Sequence, residues 1–407
     1  MSTSILYHIF KARGVQYKST KYFADRNVFK GEIDDNYIRC PECKSTDVIR
    51  FGYKERLFKT LPVGGKKTEL LIKIPRVHCN KCLSSRQVDI PFAQPKKHYL
   101  KALGRYVIDL CSVMTIAAVS EMTGLCWDTV KAIHKQYLGR KYKNPKLKNL
   151  KYIAIDELYL GKKQKFITIV MDLVSGRIVY IGEGKGKDAL KGFWKRLKRS
   201  KAKIEAVATD MASGYIFAVL DNLPDADLVL DHFHLVKWFN DKLTGFRREI
   251  YREANAIDKE ILKGSRWLLI KAPENLKSHN DKNKDQRYRL QQALEINEPL
   301  AKAYYMKERL RLIFQCENKE QAQNELNYWI SEAQDSGIKI LKDAAKKLLL
   351  WKPYILNWYK HRISTSKLEA GNSKIGTLQR NAYGYRDQEY FRLRIFNLHN
   401  ENYALTG

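Results

Sequence analysis

The sequence predicts a multidomain α/β protein, and three features of the chain lead to that expectation. Its 407 residues are more than one ordinary domain holds, so we expect roughly two to four units. Two CxxC pairs near the N-terminus predict a small metal-binding module. Strand-like segments begin near residue 150 and give way to helical periodicity near residue 243. Residues 1–35 form an N-terminal segment whose sequence favours no particular fold.

The charge of the chain predicts a polyanionic partner. Lys and Arg total 75 against 44 Asp and Glu, which leaves a net charge of +31. Solubility alone requires a net charge of only about 2 to 8, so nucleic acid is the better explanation. No run approaches the roughly 18 apolar residues of a membrane helix, and no signal peptide is recognisable. We therefore expect a cytoplasmic protein without a membrane partner.

Four cysteines in two matched pairs predict a zinc-binding module over residues 36–92. They are Cys40, Cys43, Cys79 and Cys82. Thiols stay reduced in the cytoplasm, where such pairs bind zinc rather than form disulfides. A hairpin with a Pro-Val-Gly-Gly turn would fill the gap between the pairs and bring the four thiolates around a structural Zn²⁺. The alternative is a coincidence of buried thiols.

Residues 98–140 predict a helix-turn-helix. A short helix, a break over residues 123–125 that includes a glycine, and a second helix follow one another there. Insertion of the second helix into the major groove is the functional interpretation. The expected DNA contacts on that helix are Trp127, Lys131, His134 and Lys135. The alternative is a packed helical hairpin that does not touch DNA.

The element order after residue 150 is that of a ribonuclease H-like core. Three strands in a meander, then helix, strand, helix and strand, form the first part of this core over residues 150–242. Residues 243–360 predict a helical region, which the polar stretch SHNDKNKDQR interrupts. Residues 361–400 predict a final helix that begins near Ser366.

Aspartates at the ends of apolar strands predict a catalytic metal site. Asp156 ends the first strand of the core and Asp210 the fourth, and these strands are parallel neighbours in a ribonuclease H-like sheet. Two carboxylates side by side repel each other, and divalent cations bound between them relieve this repulsion. Oxygen ligands favour Mg²⁺ or Mn²⁺, and a two-metal site of this kind cleaves phosphodiesters. Asp172 precedes Leu-Val-Ser-Gly, so we assign it to a turn.

Glu369 is the candidate for the third carboxylate, but a purely structural role is an alternative explanation for it. Ser366 and Glu369 fit a capping box, with Ser366 as the N-cap, and the residues alone leave the two roles evenly matched. The basic and aromatic residues that follow favour a phosphate backbone held near a metal. The DNA-binding candidates among them are Lys374, Arg380, Tyr383, Tyr385 and Arg386. A solvated basic helix is the alternative.

Asp231 and His234 form an Asp-x-x-His pair after the fifth strand. As catalytic residues they would orient the scissile phosphate or support a metal ligand from outside its coordination sphere. In the structural alternative, His234 pairs with Asp231 or caps the next helix. The sequence favours neither role over the other.

These segments together resemble the ISL-three family of bacterial DDE insertion-sequence transposases. The resemblance rests on AIDELYL, ATDMASGY, LDHFHLVKWFN and LEAGNSKIGTLQRNAYGYRDQEYFRLRIF, and it covers roughly residues 36 to 400. It implies a ribonuclease H-like core interrupted between the second Asp and the Glu by an all-helical insertion over residues 243–360. The C-terminal catalytic helix of residues 361–400 would then return to the core. It also implies that the four-cysteine module and the helix-turn-helix bind the element's terminal inverted repeats. The Asp-x-x-His pair is similar to a Cys/Asp-x-x-His motif of related transposases.

The resemblance implies an enzyme that cleaves DNA strands at element ends and transfers them to target DNA, with Asp156, Asp210 and Glu369 as metal ligands. Because two ends must be cut, we expect a homodimer or a higher oligomer on double-stranded DNA. The expected location is the bacterial cytoplasm, on the nucleoid when bound. Two alternatives stay open, namely a non-catalytic DNA-binding regulator and a ribonuclease H-like nuclease without strand transfer.

Overall fold

The structure is a computed structural model that describes residues 4–162 and 165–400. The packing of the chain divides it into two units. The first unit comprises the described residues up to Asn144 together with those from Lys374 onward, and the second unit is Pro145–Ser373.

The first unit contains a five-stranded sheet of order β1-β2-β4-β3, with β5 paired to β4. The short helix α1 (Ile5–Phe10) precedes the strands β1 (Val15–Tyr22), β2 (Arg26–Ile33), β3 (Val48–Val63), β4 (Lys66–Cys79) and β5 (Ser85–Gln87). Strands β3 and β4 form the long hairpin predicted between the cysteine pairs, with Gly64 and Gly65 at its turn. The cysteine pairs are brought together by this hairpin.

The N-terminal segment is part of that sheet and not a separate unit. Strand β2 pairs in parallel with β4, and side chains of both segments share one apolar core that includes Phe10, Phe29 and Ile72. The predicted boundary at residue 35 is therefore wrong, because hydrogen bonds and core packing both cross it. Pairing between strands so distant in sequence leaves no local signal.

Three helices follow the sheet, namely α2 (Lys101–Leu110), α3 (Ile116–Thr123) and α4 (Trp127–Tyr142). Gly124 ends α3 with φ of 66°, the left-handed conformation that glycine adopts without strain. Apolar residues of the three helices pack together, and Tyr390 and Leu393 of the C-terminal segment join this cluster.

The second unit is built on a five-stranded sheet of order β10-β9-β6-β7-β8. Its strands are β6 (Tyr152–Gly161), β7 (Lys165–Asp172), β8 (Ile178–Glu183), β9 (Ala206–Thr209) and β10 (Asp227–Leu230). The first three strands form an antiparallel meander, whereas β9 and β10 run parallel to β6. This matches the strands predicted from the sequence.

Amphipathic helices cover this sheet. Helix α5 (Lys191–Ser200) buries Phe193, Trp194 and Leu197 and leaves its lysines exposed, the pattern of a helix with one face on a core. Helix α6 (Ser213–Asn222) packs on β9 and β10.

The described elements from residue 232 to residue 361 are all helical, as the periodicity after residue 243 predicts. They comprise α7 (His232–Glu253), α8 (Ala256–Leu262), α9 (Arg266–Ile270), α10 (Gln286–Glu295), α11 (Glu298–Leu312), α12 (Lys319–Asp335), α13 (Lys339–Leu356) and α14 (Trp358–His361), with short 3-10 turns between some of them. Their apolar residues share one core with those of the sheet. Because α7 is continuous, the predicted boundary at residue 242 falls inside a helix.

The last two helices are α15 (Ser366–Asn381) and α16 (Gln388–Asn397). Gly371 allows α15 to approach β7 closely, since a Cβ atom there would lie 2.8 Å from the Met171 methyl group. Helix α16 packs on α4 within the first unit. The prediction that residues 361–400 all return to the catalytic core is thus wrong beyond residue 373, where the chain joins the N-terminal helices.

None of the helices in the described part of the chain combines the length and the apolar character needed to cross a membrane.

Candidate active site and metal centre

Four cysteines of the first unit form a compact cluster. The Sγ atoms of Cys40, Cys43, Cys79 and Cys82 all lie within 4.8 Å of one another. The Sγ atoms of Cys40 and Cys82 are 3.5 Å apart, and so are those of Cys43 and Cys79. Four Zn–S bonds of about 2.3 Å in a tetrahedron place the sulfurs roughly 3.8 Å apart. The cluster therefore fits one structural Zn²⁺.

Two equivalent backbone turns shape this cluster. The Lys44 amide donates a hydrogen bond to the Cys40 carbonyl at 3.0 Å, and the Leu83 amide donates to the Cys79 carbonyl at 2.8 Å. Lys44 and Leu83 both adopt positive φ, 57° and 60°. The two CxxC segments thus bend around the same centre with the same local geometry.

The Ser84 hydroxyl contacts two of the four sulfurs. It lies 3.2 Å from the Cys82 Sγ and 3.4 Å from the Cys40 Sγ. The hydrogen bond from Ser84, followed by one from the Cys43 amide, lowers the pKa of the Cys40 thiol to about 6. Although the Ser45 amide opposes it, burial and the neighbouring thiols raise the pKa of the Cys43 thiol to about 12. Since the thiolate is the metal-binding form, Ser84 favours zinc at Cys40, and a cation would relieve the crowding of the other thiols.

Asp156 and Asp210 occupy equivalent positions on neighbouring parallel strands. Ile155 of β6 pairs with Thr209, the last residue of β9. Asp156 is the next residue of β6, and Asp210 directly follows β9. Parallel strands lie about 4.8 Å apart, so the two aspartates are adjacent where β9 ends. The expectation that Asp156 ends its strand is wrong, because β6 stays paired with β7 beyond it as far as Gly161. The predicted proximity of the two strands is confirmed.

Asp156 is a partly buried carboxylate with an unusual pKa. Its Oδ1 accepts a hydrogen bond from the Glu157 amide, and its Oδ2 accepts one from the Asn372 side-chain amide, both at 2.8 Å. Burial, opposed by the hydrogen bond from the Glu157 amide and aided by the nearby carboxylates of Asp210 and Glu369, raises the pKa of Asp156 to about 6. A positive ion beside Asp156 would offset the free-energy cost of ionising this carboxyl group.

Asp231 joins two helices at the end of β10. It caps α7 by accepting a hydrogen bond from the Phe233 amide at 2.7 Å. Its second oxygen accepts from the Thr365 amide at 2.7 Å and from the Thr365 hydroxyl at 3.1 Å. Only 1% of Asp231 is exposed. This buried carboxylate therefore fixes the start of α15, the helix that carries Glu369.

The contacts of Glu369 exclude the capping box. Helix α15 starts with the Thr365 carbonyl accepting from the Leu368 and Glu369 amides, so Thr365 and not Ser366 is the N-cap. A capping-box glutamate bonds to the N-cap amide, but that amide is already bound to Asp231. Glu369 lies one residue too late for this role, and its Oε1 is 3.4 Å from the Thr365 hydroxyl.

His234 lies beside Glu369 and not beside Asp231. Its Nε2 is 3.0 Å from the Glu369 Oε1, close enough for an ion pair when the imidazole is protonated. The same nitrogen lacks a well-directed hydrogen bond, so the pair is close but poorly aligned. The structural alternative for His234 is therefore wrong on both counts, because Asp231 and not His234 caps α7 and the imidazole lies beside Glu369.

The donor set around Asp156 suits a hard divalent cation. All candidate ligand atoms are carboxylate oxygens, which Mg²⁺ and Mn²⁺ prefer. The Asn372 Oδ1 is buried without a hydrogen-bond partner among the described residues, although its Nδ2 holds Asp156. Of the described residues, only the four cysteines bring three or more ligand atoms within 4.8 Å of one another. Besides burial, the carboxylates of Asp210 and Glu369 are near enough to raise the pKa of Asp156. Asp156 accepts a hydrogen bond from Asn372, and Glu369 lies beside His234.

Asp172 forms the turn predicted for it. Its carboxylate accepts hydrogen bonds from the Val174 and Ser175 amides at 3.1 Å and 3.3 Å. Its side chain is therefore engaged in the loop that leads into β8.

His134 does not face solvent, contrary to the expectation for a groove-contacting residue. Only 1% of it is exposed, and its Nδ1 is 2.8 Å from the hydroxyl of Tyr390. Burial lowers the pKa of His134 to about 3, so the ring is neutral at physiological pH. The sequence could not reveal this, because the covering helix is 256 residues away in the chain.

Lys131 and Lys135 are bound to an acid on α16. Each ammonium group lies 3.0 Å from an Asp387 carboxylate oxygen. Although burial opposes it, the Tyr390 amide and the two lysines lower the pKa of Asp387 to about 2, so it stays charged. Trp127, with 46% of its surface exposed, carries Lys131 over its ring at 5.4 Å.

The basic and aromatic residues after Glu369 separate into exposed and packed groups. Tyr383 is fully exposed, and Arg380 and Arg386 are exposed as well, whereas Lys374 is half-buried. Tyr385 stacks on Phe391, with ring centroids 4.6 Å apart. Three other basic or aromatic residues of this segment are buried, namely Tyr390, Phe391 and Arg394.

Sequence reasoning missed Asn372 and Thr365 as residues of the site. Asn372 lies three positions after Glu369 in α15, so both side chains share one helix face. That spacing was the available signal for Asn372. Thr365 had none, because its role depends on the distant Asp231.

Two family models match this chain. A transposase model, DDE_Tnp_ISL3, matches residues 153–395, more than half of the chain. The chain belongs to the ISL3 family of DDE transposases. A second model, described as the zinc-finger of transposase IS204/IS1001/IS1096/IS1165, matches residues 36–82. The resemblance inferred from the sequence is confirmed, and so is the zinc module, which the cysteine cluster also supports.

Individual transposases are similar to this one over most of its length. The transposase for insertion sequence element IS1001 of Bordetella parapertussis is 29% identical, over 88% of this chain and 86% of that protein. The transposase for insertion sequence element IS1557 of Mycobacterium tuberculosis is 28% identical, over 91% of this chain and 87% of that protein. Among solved structures, the Drosophila P element transposase strand transfer complex aligns with a TM-score of 0.42 and 12% identity, over 74% of this chain and 92% of that chain.

Proposed function

We propose that this DNA transposase binds the terminal inverted repeats of an insertion sequence, cleaves DNA strands there and transfers them to target DNA. Asp156, Asp210 and Glu369 are the proposed catalytic metal ligands. The observation that carries the proposal is the shared environment of these acids, in which burial and the other two carboxylates hold the pKa of Asp156 near 6. Keeping these carboxylates charged and close together costs free energy unless a cation is bound, and such perturbed groups are typical of functional sites.

We assign a ribonuclease H-like architecture to the core on the basis of its sheet. The order β10-β9-β6-β7-β8, with a meander followed by two parallel strands, supports this assignment. The helical residues 232–361 then form an insertion between the second aspartate and the glutamate. In this scheme Pro145–Ser373 is the catalytic unit, and the first unit contains the zinc module and the DNA-binding helices.

The bound cations, Mg²⁺ or Mn²⁺, would activate the attacking oxygen and stabilise the leaving oxygen of the scissile phosphodiester. Asp156 and Asp210 would hold them from adjacent strands, and Glu369 from α15. Asp231 keeps α15 in place through Thr365, so we assign it a positioning role. His234, 3.0 Å from Glu369, orients that carboxylate.

We further propose that α3 and α4 form a helix-turn-helix. The left-handed Gly124 between them and the two helix lengths support this. The charge of +31 supports binding to double-stranded DNA, both element ends and target. Cleavage of two ends requires two active sites, so the proposed working form is a homodimer or higher oligomer, on the nucleoid in bacterial cytoplasm.

Product mapping with labelled DNA tests this proposal. Purified protein is incubated with magnesium, a duplex carrying the end of its element, and a target plasmid. We expect cut ends and, with the plasmid, joined strands, both absent in Asp210→Asn. Binding without cutting would identify a DNA-binding regulator, and cutting without joining would identify a nuclease.

A further inference from the structure

We infer that DNA approaches α4 on the face of Ala132 and Gln136, with a backbone phosphate held by Arg105 and Arg140, and not on the lysine face expected from the sequence. This inference rests on the proposed function, since it assigns the DNA-contacting side of the proposed helix-turn-helix. It follows from which sides of α4 are covered and from a cavity beside it.

The lysine side of α4 is closed by α16. Lys131 and Lys135 are bound to Asp387, and His134 between them is buried against Tyr390. Asp387 also caps α16 by accepting a hydrogen bond from the Tyr390 amide. Release of the lysines to DNA would strip a partly buried carboxylate of both cations, which is costly.

A different stripe of α4 is open to solvent. Ala132, Gln136 and Gly139 lie within about 60° of one another around the helix, and their centre is about 90° from that of Lys131 and Lys135. Ala132 and Gln136 are exposed. Small side chains allow a helix to sit deep in the major groove, and glutamine reads adenine through two hydrogen bonds.

A cavity of about 390 Å³ borders this open stripe, between α2 and α4. The side chains that decide its charge are Lys101, Arg105, Arg140 and Asp109. Lys101 donates to the Pro91 carbonyl, whereas Arg105 and Arg140 have no ion-pair partner among the described residues. Three cations against one acid leave a positive cavity.

A backbone phosphate is the occupant that this chemistry favours. Two unpaired guanidinium groups can form bidentate hydrogen bonds to phosphate oxygens. Gln136 and Arg140 both line the cavity and lie one turn apart on α4. A duplex whose bases meet Ala132 and Gln136 would therefore bring its backbone to the arginines.

Salt-dependent binding tests the phosphate contact. The intact protein is titrated against a labelled duplex with the element end at several salt concentrations. Each phosphate contact contributes about 0.9 to the slope of log affinity against log salt. We expect Arg105→Gln and Arg140→Gln each to lower the slope and to weaken binding roughly tenfold, and the double variant to lower the slope by about 0.9 in total. Asp109→Asn should tighten binding a few-fold, because it removes the one acid.

Lys135→Gln is the matched control on the same helix. We expect a lower melting temperature from the loss of its bond to Asp387, with the salt slope unchanged. Arginine variants that keep the wild-type slope, or a Lys135→Gln variant that lowers it, would overturn the inference. The inference would also be overturned if the arginine variants bind DNA like the wild type but are no longer stabilised against unfolding by inorganic phosphate. The cavity would then be a site for a free anion.

Gln136→Ala tests the base-reading face separately. We expect the preference for element-end DNA over a scrambled duplex to fall about tenfold, with binding to the scrambled duplex unchanged. An unchanged preference would refute this part. If the wild type itself shows no salt-dependent DNA binding, the proposed function fails. If the wild type binds and cleaves while these variants behave like it, only the inference fails.

Discussion

Asp156→Asn should make the protein more stable at neutral pH while it abolishes strand cleavage. Burial, aided by Asp210 and Glu369, raises the pKa of Asp156 from 3.8 to about 6, so the folded chain resists the charged form. At about 1.4 kcal/mol per pH unit, ionisation of Asp156 at pH 7.5 costs roughly 3 kcal/mol. The neutral asparagine avoids this cost.

The sign of this effect sets its pH dependence. A folded-state pKa above the unfolded value means that the stabilising contribution is fully present below pH 3.8 and is lost as pH rises through about 6. The advantage of Asp156→Asn over the wild type should therefore shrink to roughly 1 kcal/mol at pH 4.5. The new amide keeps its neighbour, because Asn372 can rotate its unpaired Oδ1 toward it.

Urea denaturation without added magnesium, followed by tryptophan fluorescence, measures the difference. Six of the seven tryptophans lie within residues 145–373, so the signal reports mainly on the second unit. Asp172→Asn is the control, since its carboxylate lies in an exposed turn and the variant should keep its activity. A variant Asp156→Asn that is less stable than the wild type at pH 7.5, or that cleaves DNA, refutes the reasoning.

Three further predictions concern single residues. Glu369→Gln should suppress cleavage by several orders of magnitude in the product-mapping assay, because the variant side chain keeps its shape but loses the charge that holds the metal. Its free energy of unfolding should change by less than about 1 kcal/mol. An active variant would show that another residue is the third metal ligand. Asp231→Ala should cost roughly 3–5 kcal/mol in urea denaturation, because three donors lose their buried acceptor; a change below 1 kcal/mol would contradict its positioning role. Metal analysis should find one zinc per wild-type chain and none in Cys79→Ser, and zinc retained in that variant would count against the four-thiolate site.

Local patterns were enough to predict much of this protein. Two CxxC pairs with a turn between strands predicted a cluster that the hairpin β3–β4 assembles. Strand periodicity predicted the order of elements, and the expected parallel pairing of the first and fourth strands predicted the adjacency of Asp156 and Asp210. Periodicity also predicted the helices that follow residue 243. These features depend on residues close in sequence or on rules of sheet topology, so they leave a local signal.

Tertiary structure decided the contacts that join distant segments. Ser366 and Glu369 matched a capping box in sequence, yet Asp231, 134 residues earlier, occupies the Thr365 amide and leaves Glu369 free for the site. His134 matched an exposed helix position, yet α16 covers it. A helix pattern shows which residues share a face, but the chain must fold before another element selects the face that it buries.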